Sequence, residues 1–97
     1  MTVIGDWNGV KSGYGNFEIT TDEDNKYKIA IGYGVRIGRP ADPGLFITVS
    51  EKDNYMQFHF MDLIEYNTIQ DDTQTLYRLL RYILSDVVDY IEYRNKK

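Results

Sequence analysis

The chain has 97 residues, of which 27% are charged and 42% hydrophobic, and its formal net charge is -4 at pH 7. This length fits a single domain spanning residues 1–97, and the composition is that of a globular protein rather than a disordered one. The absence of cysteine excludes disulfides, thiol catalysis and cysteine zinc sites. The acidic balance argues against binding of duplex DNA or anionic membranes by bulk electrostatics.

The sequence contains no targeting or membrane-spanning pattern. Residues 1–7 lack the basic start and the unbroken apolar run of a signal peptide. No stretch approaches the ~20 consecutive apolar residues of a membrane span. We therefore expect a cytoplasmic protein that does not cross a membrane.

Two segments near the N-terminus have strand character. Residues 3–10 contain strand-forming side chains but are interrupted by Gly5 and Gly9, which predicts an edge strand, an extended arm or a bulged segment. In residues 14–21, Phe17 and Ile19 alternate with polar side chains, which predicts a second strand. The polar run that follows predicts a tight turn.

The clearest predicted strand covers residues 26–37, where a period of two persists along the whole segment. One face carries a run of apolar residues: Tyr27, Ile29, Ile31, Tyr33, Val35 and Ile37. The opposite face carries small and basic residues: Lys26, Lys28, Ala30, Gly32, Gly34 and Arg36. Such a long alternation is difficult to reconcile with a helix.

Residues 38–44 contain both prolines and two glycines. Because proline lacks a backbone donor, we expect a loop in this segment. Two further strands are predicted at residues 45–51 and 55–62, joined by a short hairpin connection. In the second of these strands, alternate residues are expected on opposite faces. One face carries Met56, Phe58 and Phe60, and the other carries Tyr55, Gln57 and His59.

After Tyr66 the period changes from two to about 3.6, which predicts one long helix over residues 71–95. Asp71 or Asp72 is expected to cap its N-terminus, with Gln74 completing a capping box from Asp71. The predicted fold class is therefore α+β, an antiparallel meander sheet of four to five strands packed on one long C-terminal helix. One apolar line is expected to cover the sheet: Leu76, Leu80, Ile83, Val87 and Tyr90.

A second apolar line on the same helix widens its apolar surface beyond the ~100° that one sheet contact needs. It consists of Tyr77, Leu84, Val88 and Ile91. Two interpretations are open. The helix has a wide core face between the sheet and the N-terminal segment, or the second line is a homodimer or partner surface.

No motif in the sequence predicts catalysis, a metal site or a cofactor. The glycines at 32, 34 and 38 lie inside a predicted strand and do not have the spacing of a dinucleotide-binding loop. Residues 22–25 lack the glycine and the closing glutamate of a calcium loop. His59 is the only histidine, and no pair of carboxylates is held at a defined separation. We therefore expect a protein that is not an enzyme.

The sheet face opposite the helix is the first candidate binding surface. It combines aromatic and basic side chains: Lys26, Lys28, Arg36, Phe46, Tyr55 and His59. Aromatic rings with interleaved cations on an open sheet can stack bases and contact phosphates. In layout alone, four strands followed by a helix are similar to the whirly-type single-strand DNA-binding proteins, and this resemblance implies single-stranded nucleic-acid binding.

The nine tyrosines favour a different kind of partner. Tyrosine provides a large contact area with little conformational entropy to lose, so an excess of tyrosine over what the core needs indicates protein recognition. Small acidic α+β proteins include phage-borne and immunity-type inhibitors that block basic, nucleic-acid-binding targets by charge complementarity. We therefore favour a non-catalytic protein-binding module of inhibitor type, with single-stranded nucleic-acid binding as the alternative.

Overall fold

The computed structural model describes the backbone of residues 1–36, 39–51 and 54–95, and their side chains except those of 35, 36 and 39–42. Within these residues the strands are β1 Thr2–Gly5, β2 Gly15–Thr20, β3 Lys26–Arg36, β4 Arg39–Glu51 and β5 Asn54–Asp62. The helices are α1 Trp7–Val10, α2 Leu63–Ile69 and α3 Thr73–Asn95. The strands form one antiparallel sheet in the order β1-β2-β3-β4-β5. The predicted α+β meander with a long C-terminal helix is confirmed.

The core lies between one face of the sheet and the three helices. Alternate strand residues point into it: Phe17, Ile19, Tyr27, Ile29, Ile31, Leu45, Ile47 and Val49. The period of two that predicted β3 therefore identifies its buried side chains as far as Ile31. Tyr33 shares this face but is half exposed at the rim, where its ring packs edge-on against the rings of Tyr14 and Tyr66.

The N-terminal segment, for which the sequence left open an edge strand, an extended arm or a bulged segment over residues 3–10, forms an edge strand only in its first part. Only Thr2–Gly5 pairs with β2. The carboxylate of Asp6 then accepts a hydrogen bond from the backbone N–H of Gly9 at 2.8 Å and starts the single turn of α1. A capping aspartate offers the backbone an alternative to extension. The turn carries Val10 into the core, where it is fully buried.

The loop predicted over residues 38–44 is largely strand. β4 begins at Arg39, and its pairing with β3 is irregular, because Val35 lies opposite Pro43 whereas Arg36 lies opposite Arg39. β5 pairs with β4 only from Gly44 onward, so residues 39–43 have a neighbouring strand on one side only. Proline is tolerated there because no second ladder needs its missing donor. Ile37 and Gly38 lie outside the described residues, as does most of the predicted 52–54 connection.

Helix α2 was not predicted. The chain leaves β5 at Asp62 and enters a seven-residue helix in which Tyr66 is buried against the core. The hydroxyl of Tyr66 donates a hydrogen bond to the backbone oxygen of Lys11 at 2.6 Å, which joins α2 to the end of α1. Burial, together with a hydrogen bond to Tyr33, raises the pKa of Tyr66 above its ordinary value.

Helix α3 is capped by Asp72, one of the two predicted candidates. Its carboxylate accepts hydrogen bonds from the backbone N–H of Thr75 at 3.1 Å and from the Thr75 hydroxyl at 2.8 Å. These hydrogen bonds hold the pKa of Asp72 below its usual value. The helix thus begins at Thr73, two residues later than the predicted limit.

The buried face of α3 combines both apolar lines of the sequence. Its buried residues are Leu76, Leu80, Leu84, Val87, Val88 and Ile91. Tyr90, predicted to face the sheet, is instead half exposed. The second line is therefore mostly core, and Tyr77 at its start is half buried, with its ring packed edge-on against Trp7. This arrangement corresponds to the first interpretation, a wide core face closed by the N-terminal segment.

Replacing Tyr66 with phenylalanine is expected to lower the free energy of unfolding at pH 7 by about 0.5–1.5 kcal/mol, because the Lys11 carbonyl loses its donor while the ring stays packed. The raised pKa adds a pH dependence. An unfolded tyrosine ionises near pH ~10, so the stability from neutral, folded Tyr66 is fully present below that pH and is lost as pH rises toward the folded pKa. The free energy of unfolding, measured in urea, should fall more between pH 8 and pH 11 in the wild type than in Tyr66→Phe. An equal fall in both proteins would contradict this role of Tyr66.

Candidate recognition surfaces

The sheet face that points away from the helices is largely exposed in the described residues, although Phe46 toward one end of it is buried. The strand register arranges its residues in rows. One row consists of Ile4, Glu18, Lys28, Ser50 and Tyr55. The next consists of Asn16, Ala30, Thr48 and Gln57. We call these two rows the outer face. Most of its side chains are exposed.

The outer face is shallow and has small side chains at its centre. A depression of about 470 Å³ lies over Ala30, with Ile4 on one side and Ser50 on the other. Glu18 and Lys28 lie directly opposite each other on neighbouring strands within it. A surface of this shape can receive a protruding side chain of a partner, whereas small-molecule sites are usually deeper and more enclosed.

The structure brings part of the predicted binding set together on this side of the sheet. Lys28 and Tyr55 are exposed in the same row, separated by Ser50. Lys26 is exposed next to the turn between β2 and β3. Arg36 ends β3, but its side chain lies outside the described part of the chain. Tyr55 is highly accessible, with 77% of its surface exposed.

Phe46 and His59, also predicted to bind, form a contact with each other. They are opposite in the register of β4 and β5, and their ring centroids are 5.4 Å apart. Phe46 is only 5% exposed, with its ring against Gly34, so it offers no free ring face for stacking. The Nε2 atom of His59 lies 2.9 Å from Oδ1 of Asp62, the residue that precedes α2.

A polar cleft of about 810 Å³ lies at the other end of the sheet, beside the C-terminal turns of α3. The Tyr27 hydroxyl donates to Glu92 at 3.1 Å, and Asn25 donates to the same carboxylate at 3.0 Å. Asn95 donates to Glu51 at 2.8 Å. Burial, followed by the hydrogen bond to Glu92, raises the pKa of Tyr27. These bonds tie α3 to the ends of the strands, which is a structural role that sequence reasoning missed.

The tyrosines divide into a buried and an exposed set. Tyr27 and Tyr66 are buried and Tyr77 is half buried. The other six are at least 45% exposed: Tyr14, Tyr33, Tyr55, Tyr82, Tyr90 and Tyr93. The excess of tyrosine over what the core needs, which the sequence predicted, is thus located on the surface.

Three of the exposed tyrosines share one side of α3 that sequence reasoning overlooked. We call this side the α3 flank: Leu79, Tyr82, Asp86, Tyr90 and Tyr93. Successive steps of three and four residues place these side chains in one line along the helix, and that spacing could have revealed them. The flank lies beside β5, because the Tyr90 ring packs edge-on against Phe58.

Two further observations concern the described residues. Among them, no cluster of three or more histidine, cysteine, aspartate or glutamate side chains could hold a metal ion. In the same part of the chain, no helix combines the length and apolar character needed to cross a membrane. Comparisons of this chain with protein-family models, curated proteins and solved structures gave no significant match.

Proposed function

We propose that this protein is a non-catalytic module that binds another protein through its outer face. The observation that carries this proposal is an exposed outer face bordered by two exposed tyrosines, on a chain whose described helices all pack on the opposite side of the sheet. Tyrosine is enriched in protein interfaces because it combines a large apolar area with a polar tip. Tyr55 borders the outer face at β5, and Tyr14 lies beside Gly32 near the other border.

The shape and charge of the outer face support this kind of partner. Small residues such as Ala30 and Thr48 let a partner backbone approach the sheet closely. Glu18 and Lys28 offer charges of both signs, which favours specificity over tight electrostatic binding. A protein surface with one protruding apolar residue fits the depression over Ala30 better than a long polyanion does.

The total charge of -4 favours a basic partner. Complementary net charge accelerates association, and the effect weakens as salt increases. An inhibitor that occupies the surface of a basic, nucleic-acid-binding protein is the specific form of this proposal. Blocking such a target requires only occupation of its binding surface, for which no catalytic group is needed.

Single-stranded nucleic acid is the second candidate, supported by the exposed Lys28 and Tyr55 in one row. Two observations weigh against it. The ring of Phe46 is buried, which removes one of the two rings expected to stack on bases. Glu18 lies opposite Lys28, which reduces the positive potential that phosphates need.

A single substitution at the centre of the outer face tests the proposal. Ala30→Arg puts a long charged side chain over the depression without changing the core, because Ala30 is exposed. Its matched control is Ile64→Arg, on α2 at the other side of the molecule, where Ile64 is also exposed. Immobilised wild type and Ile64→Arg should capture the same basic protein from a cell extract, and Ala30→Arg should lose it. Equal capture by all three proteins would contradict the proposal.

The nucleic-acid alternative needs its own measurement. Fluorescence anisotropy with a labelled single-stranded oligonucleotide at low salt should show no saturable binding to the wild type. Saturable binding that disappears when Lys28→Ala and Tyr55→Ala are combined would replace the protein-binding proposal with the nucleic-acid one.

A further inference from the structure

The outer edge of β5 is an unprotected strand edge. β5 is last in the sheet order, and no described element pairs with its far side. It is nine residues long and contains no lysine, arginine or proline. Edge strands are usually short, charged, bulged or covered, because a regular free edge pairs readily with another strand. The single irregularity of β5 falls after His59 and leaves residues 54–59 regular.

The opposite edge of the sheet is protected in the usual way. β1 has only four residues, and the chain turns into α1 directly after it. The two outer edges of the sheet therefore differ within the described part of the chain, and β5 presents the longer row of unpaired backbone donors and acceptors.

The α3 flank extends this edge on the helix side of the sheet. Tyr82 is 73% exposed and Tyr93 is 61% exposed. Tyr90 packs on Phe58, and the Arg94 guanidinium lies 2.7 Å from the sulfur of Met56. The edge and the flank thus form one continuous surface made of backbone groups and tyrosine rings.

We infer that a second copy of this chain binds that surface. The two β5 strands pair antiparallel about a two-fold axis near Phe58, so that Gln57 of each copy faces the partner's His59 within the regular part of the strand. The two sheets then join into one of ten strands. An antiparallel pair exchanges the same hydrogen bonds in both directions, as the self-complementary interface of a symmetric dimer requires. The same axis brings the two α3 flanks together on the helix side.

The charges on either side of this axis, Asp86 of the flank and Arg94 beside β5, are complementary. Tyr90 contacts Phe58 and Arg94 contacts Met56. Because the residue numbers of β5 fall as those of α3 rise, α3 runs antiparallel to β5. An axis near Phe58 therefore also passes near Tyr90. Residues at equal distances before and after Tyr90 then face each other across the dimer. Asp86, four residues before, is brought toward the partner's Arg94, four residues after.

The tyrosines of the α3 flank supply most of the area that a stable dimer needs. With ~200 Å² for each tyrosine side chain, Tyr82, Tyr90 and Tyr93 together expose roughly 370 Å² per copy at 73%, 51% and 61% exposure. Two copies therefore offer about 740 Å² from these tyrosines, to which Leu79 and the paired β5 edges add, and specific interfaces begin at about 1,000 Å². This dimer does not depend on the proposed partner, because the outer face stays uncovered in it.

The second apolar line of α3, for which a homodimer or partner surface was one of two open interpretations, does not provide this interface. Apart from the half-buried Tyr77, it consists of Leu84, Val88 and Ile91. Those side chains are buried in the core of one chain. The dimer surface inferred from the structure lies on an adjacent side of α3.

Charge reversal tests the inferred dimer. Sedimentation velocity from 1 to 100 μM should give the wild type twice the chain mass of 11.4 kDa. Asp86→Arg and Arg94→Glu should each weaken dimerisation at least ~10-fold, and the double variant should recover it. Glu65→Arg makes the same change of charge at an exposed position on α2, outside the flank, and it should have no effect. A monomeric wild type at 100 μM would overturn the inference, as would equal weakening by Asp86→Arg and Glu65→Arg.

Amide hydrogen exchange tests the strand pairing separately. The outward-pointing amides closest to the axis, in residues 57–59, should become protected as protein concentration rises from monomer to dimer. Protection confined to α3 would show a helix-only dimer and would contradict pairing through β5. Capture experiments with Ala30→Arg remain independent of both results, because Ala30 lies at the centre of the sheet and not at its edge.

Discussion

Replacing Leu84 with alanine is expected to lower the free energy of unfolding by about 2–5 kcal/mol. The Leu84 side chain is fully buried between α3 and the sheet, so its truncation removes apolar contacts and leaves a cavity. Because a small domain has a total stability of only ~5–15 kcal/mol, this single change removes a large part of it. Urea unfolding followed by circular dichroism measures the loss.

Leu79→Ala provides the matched control, since it is the same substitution in the same helix. Leu79 is 43% exposed, and its truncation should change the free energy of unfolding by less than about 1 kcal/mol. Both variants should be measured at a concentration at which the chain is monomeric, because Leu79 belongs to the inferred dimer surface. If Leu84→Ala lowered the free energy of unfolding only slightly, Leu84 would again have to be interpreted as part of a partner surface.

Replacing Gly13 with alanine is expected to be almost as destabilising, for a different reason. Gly13 has a φ of 83°, a left-handed conformation that costs a residue with a Cβ about 1–2 kcal/mol. The added Cβ would also overlap the ring of Tyr33, and forced overpacking adds about 1–3 kcal/mol. The two effects act together in the turn that follows α1, and the unfolding midpoint in urea should fall accordingly.

Gly32→Ala separates this effect from the general consequence of adding a methyl group. A Cβ at Gly32 would have the Tyr14 ring as its nearest neighbour at 3.8 Å, an ordinary van der Waals contact. Gly32 lies in β3, where alanine fits the backbone, so stability should stay constant or rise by up to about 1 kcal/mol. Similar losses in Gly13→Ala and Gly32→Ala would contradict the steric explanation.

The parts of the fold that could be predicted are those in which a local pattern repeats. In β3, the alternation that contains Ile29 and Ile31 gave the strand and its buried face directly. In α3, the spacing of Leu76 and Leu80 gave the helix, and Asp72 was one of two capping candidates because it precedes the apolar pattern. Each of these signals lies within a few residues of the feature that it predicts.

The remaining features depend on contacts between distant residues. Whether Leu84 faces the core or a partner depends on what α1 and α2 supply, and both helices are too short for a periodic signal. Proline in β4 is compatible with a strand only because β5 ends before reaching it. The polar cleft joins Asn25 to Glu92, a separation that no local motif spans. Phe46 has the right position for the outer face, but its burial follows from tertiary packing.

The order of the strands has a consequence for how the chain folds. Every strand pairs with the strand next to it in sequence, so each step of sheet assembly closes only a short loop and loses little chain entropy. Docking of α3 is the step that brings together residues far apart in sequence, such as Tyr27 and Asn95. Such a topology has many local contacts, and topologies of that kind fold faster than sheets built from distant strands.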